Sequence, residues 1–349
     1  MDLRRDYYED LQLCNSTFSR FWLIGFLGLL GVLPFFLPNY TLYTLNYLGC
    51  QVLVAIGMNI LVGYTGQISI GHSGFMAIGA YTCALLTVQG LIPLPVTLLL
   101  AGLAAASMGF LLGLPALRLE GPYLAIATLG FGLAVTQIIG RLSLLGGRMG
   151  IVVPRPRIGS FELDDDRALY WLIVPVTVAL VWMARNLMRS RIGRAFQAIR
   201  DSEIAAQSVG INVAFYKTLS FAVSAFFVGV AGALLAIATG FINPDQFNFL
   251  QSILFLAMVV AGGRGSILGS VLGGTLLGFL TLKMDIVQDL PVFGTLLVVF
   301  SEKYMTTAGL PNVGLVFIGS ALIAVNLLEP MGLYGIWIRA RRYWTTWPF

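Results

Sequence analysis

Residues 185–217 read RNLMRSRIGRAFQAIRDSEIAAQSVGINVAFYK, a polar island between long apolar runs, and the side of a membrane on which it lies orders everything around it. It carries Arg185, Arg189, Arg191, Arg194, Arg200 and Lys217 against only Asp201 and Glu203. Short loops rich in Lys and Arg are retained on the cytoplasmic side. This island is therefore expected inside, as is the C-terminal tail with Arg339, Arg341 and Arg342.

Outward from the island the chain is almost entirely apolar. Of its 349 residues 58% are hydrophobic and 11% charged, where soluble domains carry about 25% charged residues. An ordinary soluble domain is excluded. The apolar residues suffice for roughly ten spans of about 20 residues each, and the 40 Gly suit close approach of membrane helices. Apolar runs lie at Phe21–Leu37, Leu42–Val62, Phe75–Gln89, Pro93–Leu117, Pro122–Ile139 and Ala168–Ala184 before the island. After it come Thr218–Phe241, Phe247–Ala261, Ile267–Leu282 and Val313–Leu328, with a short apolar piece at Val292–Phe300. The expected fold is an all-α polytopic membrane bundle of about ten transmembrane helices.

Parity tests that count. Returning inside after Lys217 requires an even number of crossings before Arg339, so Phe247–Leu282 must be two spans that turn at Gly262-Gly263-Arg264-Gly265-Ser266. Arg264 then falls at the cytoplasmic surface. Upstream, six crossings from an internal N-terminus also end inside. They place Arg141–Arg167 outside, where five Arg nearly cancel Glu162, Asp164, Asp165 and Asp166. One transmembrane domain is expected over residues 1–349, with cytoplasmic tails at 1–20 and 329–349 and the cytoplasmic loop at 185–217. The Gly-rich segments at Gly63–Gly79 and Gly262–Gly278 resemble each other weakly, which leaves an internal repeat open.

A second polar stretch, Gly63 to Ser73, interrupts the apolar runs. Backbone that leaves a helix in lipid must be satisfied by protein or by cavity water. One reading is a broken or re-entrant element lining a solute path, with Thr65, Gln67, Ser69, His72 and Ser73 as polar contacts; Tyr123 and Thr128 are added to this candidate path. The other is a plain cytoplasmic turn. His72, the only His, has no carboxylate beside it in sequence, which argues against a proton relay.

Within the arginine-rich island, Asp201 or Ser202 can cap a helix of about two turns, with Glu203 in its first turn and Gly210 ending it in a left-handed cap. Small Ala205 and Ala206 would let another surface approach, and the flanking charges, Arg194, Arg200, Asp201 and Glu203, would fix its register. This is a docking element. A basic loop held to anionic headgroups is the competing reading.

Cys14, Cys50 and Cys83 are too scattered for a disulfide scaffold or a zinc site. The three Lys, at 217, 283 and 303, follow Tyr216, Leu282 and Glu302, so no Gly-Lys pair exists to build a phosphate-cradling loop. No metal site, bound cofactor or catalytic residue is expected. Acidic residues at mid-membrane depth, usual in ion-driven carriers, are missing from the predicted spans.

The stretch Gly63-Tyr64-Thr65-Gly66-Gln67-Ile68-Ser69-Ile70-Gly71-His72, with Gly79-Ala80-Tyr81, resembles the G-x-x-G-Q-x-S-x-G-H motif of LivM-type permease subunits of ABC importers for branched-chain amino acids. Gly121 to Leu129, the run from Gly193 to Gly210, Met258 to Ser266 and Glu329 to Leu333 are similar to the same family. One departure is Pro122, where a small or β-branched residue is usual. The resemblance implies the ABC importer permease fold with discontinuous helices in a bacterial inner membrane. It also implies a second related permease, two cytoplasmic ATPase subunits that use ATP-Mg, and a periplasmic or extracellular solute-binding protein. Arg194 to Gly210 then becomes the ATPase-coupling element of an alternating-access transporter for branched-chain or other neutral amino acids. A urea or short-amide importer, and outside this class a stand-alone channel or secondary transporter, stay open.

Overall fold

The computed structural model describes residues 17–89, 93–119, 121–155, 157–158, 161–162, 165–282 and 331–346, together with 319–320, 323, 327 and 329. Helices account for nearly all of it: α1 (Thr17–Phe36), α2 (Asn39–Asn59) running into a π-helical turn (Ile60–Tyr64), α3 (His72–Gln89), α4 (Leu94–Ala116), α5 (Pro122–Arg141) and α6 (Asp166–Arg189). Then follow α7 (Arg191–Asp201), α8 (Glu203–Ser208), α9 (Val213–Thr239), α10 (Phe249–Gly262), α11 (Ile267–Leu282) and α12 (Leu333–Thr346).

Among the described residues, five helices are long and apolar enough to cross a bilayer, namely Asn39–Tyr64, α4, α5, α6 and α9. Helices α3, α10 and α11 are apolar but shorter. The expected runs Val292–Phe300 and, nearly in full, Val313–Leu328 lie outside the described residues, as does the tail Met1–Asn15.

Helix α9 is the pillar of the bundle. Its 27 residues extend about 40 Å at 1.5 Å per residue, with Asn212 capping one end by accepting from the Phe215 N–H at 3.1 Å. Gly240, at φ +67°, closes the other. Helices α2, α3 and α4 pack along it. Lipid supplies little hydrophobic drive between helices, so close contact of small residues has to hold them. Gly79 of α3 lies directly on the Gly229 backbone, and Gly232 on that of Met76. Gly57 of α2 faces Ser224 and Val228, and Gly109 of α4 faces Phe221 and Ala225.

The run from Phe247 to Leu282 is two helices, as parity requires. Gly263 (φ +122°) and Gly265 (φ +75°) make the turn between α10 and α11, and Gly262 packs on the backbone of Gly269 and Gly273. Pro122 has a local explanation: Gly121 (φ +55°) turns the chain into α5, and Pro122 takes the first helical position, where no N–H donor is needed. On the far side of the bundle, Ile151–Val152 pairs antiparallel with Phe241–Ile242, and a two-residue ribbon joins Arg157–Ile158 to Phe161–Glu162.

Two helices were not anticipated: α12, within the expected tail 329–349, and α7. The arginine-rich island holds α7 before the short helix, started by Ser190, whose Oγ accepts from the Ile192 N–H. Gly193, Ala195, Phe196 and Ile199 form its buried face.

A pair of alanine substitutions tests the glycine packing. Gly79→Ala places its methyl carbon on the Gly229 backbone and should cost about 1–3 kcal/mol, as overpacking does. Gly130→Ala meets nothing within 4 Å and should not lower the thermal unfolding midpoint of the purified protein in detergent.

Candidate functional site

The stretch from Gly63 to Ser73 is an irregular turn from which the chain runs back along the bundle. Helix α2 descends past α9 to the π-helical turn; residues 65–71 then climb back without helical bonding, and α3 starts at His72, level with Gly57. Irregular backbone inside a bundle needs partners; Gly66 and Ile68 are exposed, and the buried residues find theirs in the protein. Thr65 Oγ1 donates to the Ile60 carbonyl at 2.8 Å, and the Gln67 N–H donates to Leu61 O at 3.1 Å. Gln67 Nε2 donates to Ser220 Oγ at 2.8 Å. The Ile70 N–H donates to Thr128 Oγ1 at 3.0 Å, while Gly71 lies on the Thr128 backbone.

His72 is the centre of a chain of hydroxyls. Ser224 Oγ gives its one proton to Gly57 O at 2.6 Å, so toward His72 Nε2, 2.8 Å away, it accepts. The ring therefore carries its proton on Nε2, and Nδ1 accepts from Ser69 Oγ at 3.0 Å. Both nitrogens are bonded to serine hydroxyls, with no carboxylate in the chain. Next along, the Ser73 N–H donates to Ser252 Oγ, which donates to Ser73 Oγ at 2.7 Å.

Thr65, Gln67, Ser69, His72, Ser73 and Thr128 are thus brought together and buried. Tyr123 is not: it is 71% exposed on α5 and lies apart from this network. Sequence reading missed the partners Asn59, Ser220, Ser224, Ser252, Ser266 and Ser270. Their signal was present, since each is a lone polar residue in or beside an apolar run. Fully buried Asn59 is the tightest knot. Its Nδ2 donates to Ser266 O at 2.8 Å and Ser270 Oγ at 2.6 Å, and its Oδ1 accepts from the Gly265 N–H at 2.9 Å. The end of α2 is thereby stapled to the α10–α11 turn.

The second site, α7 with α8, sits at that same end. Ser202, not Asp201, caps α8, its Oγ accepting from the Ala205 N–H at 3.2 Å; Asp201 is the last residue of α7. Gly210 follows at φ +84°. Glu203 pairs with Lys217, whose side chain is nearly buried. Arg194 donates to Arg189 O. Arg200 reaches Gly63 O at 3.0 Å through Nη1, and Asp201 Oδ1 through Nε and Nη2. The expectation for Ala206 needs correcting: it faces inward against Ile199 and Val213, because the Ser202 cap turns that side of α8 onto the bundle. The outward face is Ala205 with Ile204, 83% exposed, and Val209, 74% exposed.

Ser224→Ala leaves His72 Nε2 without its partner, and a buried polar group so stranded costs about 1–3 kcal/mol. The variant should unfold at lower temperature in detergent, while Tyr123→Phe should match the parent.

Residues 40–288 match the family described as "Branched-chain amino acid transport system / permease component". The chain is similar to the high-affinity branched-chain amino acid transport system permease protein LivM of Escherichia coli K12, 33% identical over 288 residues, covering 75% of this chain and 68% of that one. To LivM of Salmonella typhimurium it is 37% identical over 225 residues, 57% of this chain and 53% of the relative. To BraD of Pseudomonas aeruginosa it is 34% identical over 149 residues, 41% and 48% of the two. With an apolar helical bundle built around a hydrogen-bonded re-entrant segment, this chain belongs to the branched-chain amino acid transport permease family and is a permease subunit of an ABC importer.

Proposed function

We propose that this subunit moves branched-chain or other neutral amino acids across a bacterial inner membrane, driven by ATPase subunits that dock on α8. It crosses the membrane about ten times, with both termini in the cytoplasm, and pairs with a second, related permease; a soluble binding protein delivers the solute. ATP-Mg is held and hydrolysed by the partner ATPases.

The observation that carries this reading is the outward face of α8. Ile204 and Val209, large aliphatic side chains, stand exposed on a two-turn helix at the end of the bundle that also holds Arg194, Arg200 and Arg264. Arginine at one end marks it cytoplasmic. Both apolar groups are held out in water, or toward a partner, by a capped helix whose other side is packed on the bundle. A loop serving only to hold anionic headgroups has no use for such a rigid frame.

The solute path follows from the same frame. The residues of the re-entrant segment spend their side-chain hydrogen bonds on protein, so the segment acts as the wall of a path and as its moving part. Alternating access then requires the ATPase states to interact differently with the two conformations of the bundle.

Ile204→Glu and Val209→Glu place charge at the centre of the docking face, where truncation of buried anchors typically costs 2 kcal/mol or more, about 30-fold in affinity. Both variants should insert in the membrane at parental levels yet fail to co-purify the ATPase subunits. In proteoliposomes carrying all partners, labelled leucine should be accumulated on ATP addition and urea should not. Accumulation by this chain without the ATPases would overturn the reading.

A further inference from the structure

Arg200 does more than flank the docking helix. Its guanidinium crosses from the end of α7 to the end of α2, where Nη1 donates to the Gly63 carbonyl at 3.0 Å. That carbonyl lies in the π-helical turn, at a helix end whose carbonyls have lost their intrahelical donors. Ile60 O is taken by Thr65, Leu61 O by the Gln67 N–H and Gly63 O by Arg200. The first two donors come from the re-entrant segment itself; the third comes from α7, 137 residues away in the chain. A cation at the negative end of a helix is also favoured by its dipole.

Backbone flanks the side chain on two sides, while 39% of it stays exposed. A methyl carbon on Gly66 (φ +78°) would lie 3.2 Å from Arg200 Cγ, and one on Gly265 (φ +75°) would lie 2.8 Å from Nη1. Two glycines in the left-handed region thus form the walls, one on the re-entrant segment and one on the α10–α11 turn. Gly265 also donates its N–H to Asn59 Oδ1, one helical turn before Gly63. The ends of α2 and α7 and the α10–α11 turn therefore meet at one junction. From there the chain runs through Gln67 to Ser220, and through Ser69 and His72 to Ser224, reaching α9 and the start of α3.

On the other side, Ser202 alone separates α7 from α8. A push on α8 moves Arg200 with it, since no loop is present to absorb the displacement. Asp201, bonded to Nε and Nη2 at 3.1 and 3.0 Å, holds the fork so that Nη1 faces Gly63.

We infer that Arg200 is the positioning residue that transmits displacement of the docking helix to the re-entrant segment of the solute path. This rests on the docking reading above, but it concerns the step after docking. Arg200→Gln removes the cation and its fork while leaving the Ile204 and Val209 face untouched.

The test uses the complete transporter in proteoliposomes and reads three quantities: ATPase subunits retained, basal ATP hydrolysis, and solute moved per ATP. For Arg200→Gln, compared with the parent at matched content of ATPase subunits, solute moved per ATP should fall about fivefold or more, the lower range of inter-site coupling. A merely structural role would lower uptake and hydrolysis together, in proportion to folded complex. An unchanged ratio, or a proportional loss of both, overturns the inference. If Arg200→Gln does not assemble, Arg200→Lys carries the test, because it keeps the charge but cannot bond Gly63 and Asp201 as a fork. Its ratio should fall between those of the parent and a fully uncoupled transporter; a parental ratio overturns the inference. Retention of the ATPases by Ile204→Glu would sink the docking reading instead, a result read by co-purification and independent of the Arg200 ratio.

Discussion

A peptide group that leaves helical bonding inside a bilayer has no water to turn to, and each one stranded costs several kcal/mol. This constraint governs residues 60–73. The π-helical turn and the seven irregular residues after it release carbonyls and amides that the bundle must satisfy from elsewhere. Thr128, Ser252 and Arg200 meet that need from three other parts of the chain, Thr65 meets it from within the segment, and Asn59 ties the end of α2 to the α10–α11 turn. The irregular segment is therefore the point at which α2, α3, α5, α7, α9 and the α10–α11 turn are held in common register.

Glycine makes that convergence possible. The hydrogen bonds at His72 and Gln67 are short because α3 and α2 approach α9 with backbone nearly touching backbone at Gly79, Gly232 and Gly57. A methyl group at any of these positions would separate the helices and lengthen the polar contacts with them. Packing and polar satisfaction are thus one constraint in two forms: the small residues bring the axes together, and the serines, threonines and asparagine then fix which residues face each other.

Charge works in the same place on a larger scale. The arginines of the mid-chain island and of the α10–α11 turn gather at one end of the bundle. Arginine gathered at one end is the ordinary mark of a cytoplasmic side. Arg200 differs because its fork spans two elements, the end of α7 and the π-helical turn at the end of α2, which is why the proposed coupling is placed on it.

Much was legible in the sequence because it is local. Hydropathy set the runs that became α1 to α6 and α9 to α11, and capping chemistry marked a two-turn helix ending near Gly210. The division at Gly262–Ser266 followed from charge parity, without any knowledge of packing. Helix α7 was missed because its apolar face, Gly193, Ala195, Phe196 and Ile199, is short and lies among arginines, so that it reads as loop. Ala206 looked outward by composition, and only the seating of α8 turned it in. The sequence by itself determined a helical membrane bundle of this permease family and the place of the short helix that became α8. Only the tertiary structure decided that Arg200 meets Gly63, Asn59 meets Ser270 and His72 meets Ser224. Those pairs are 137, 211 and 152 residues apart, and their meeting depends on the angles and depths at which glycine-faced helices cross, which no local pattern encodes.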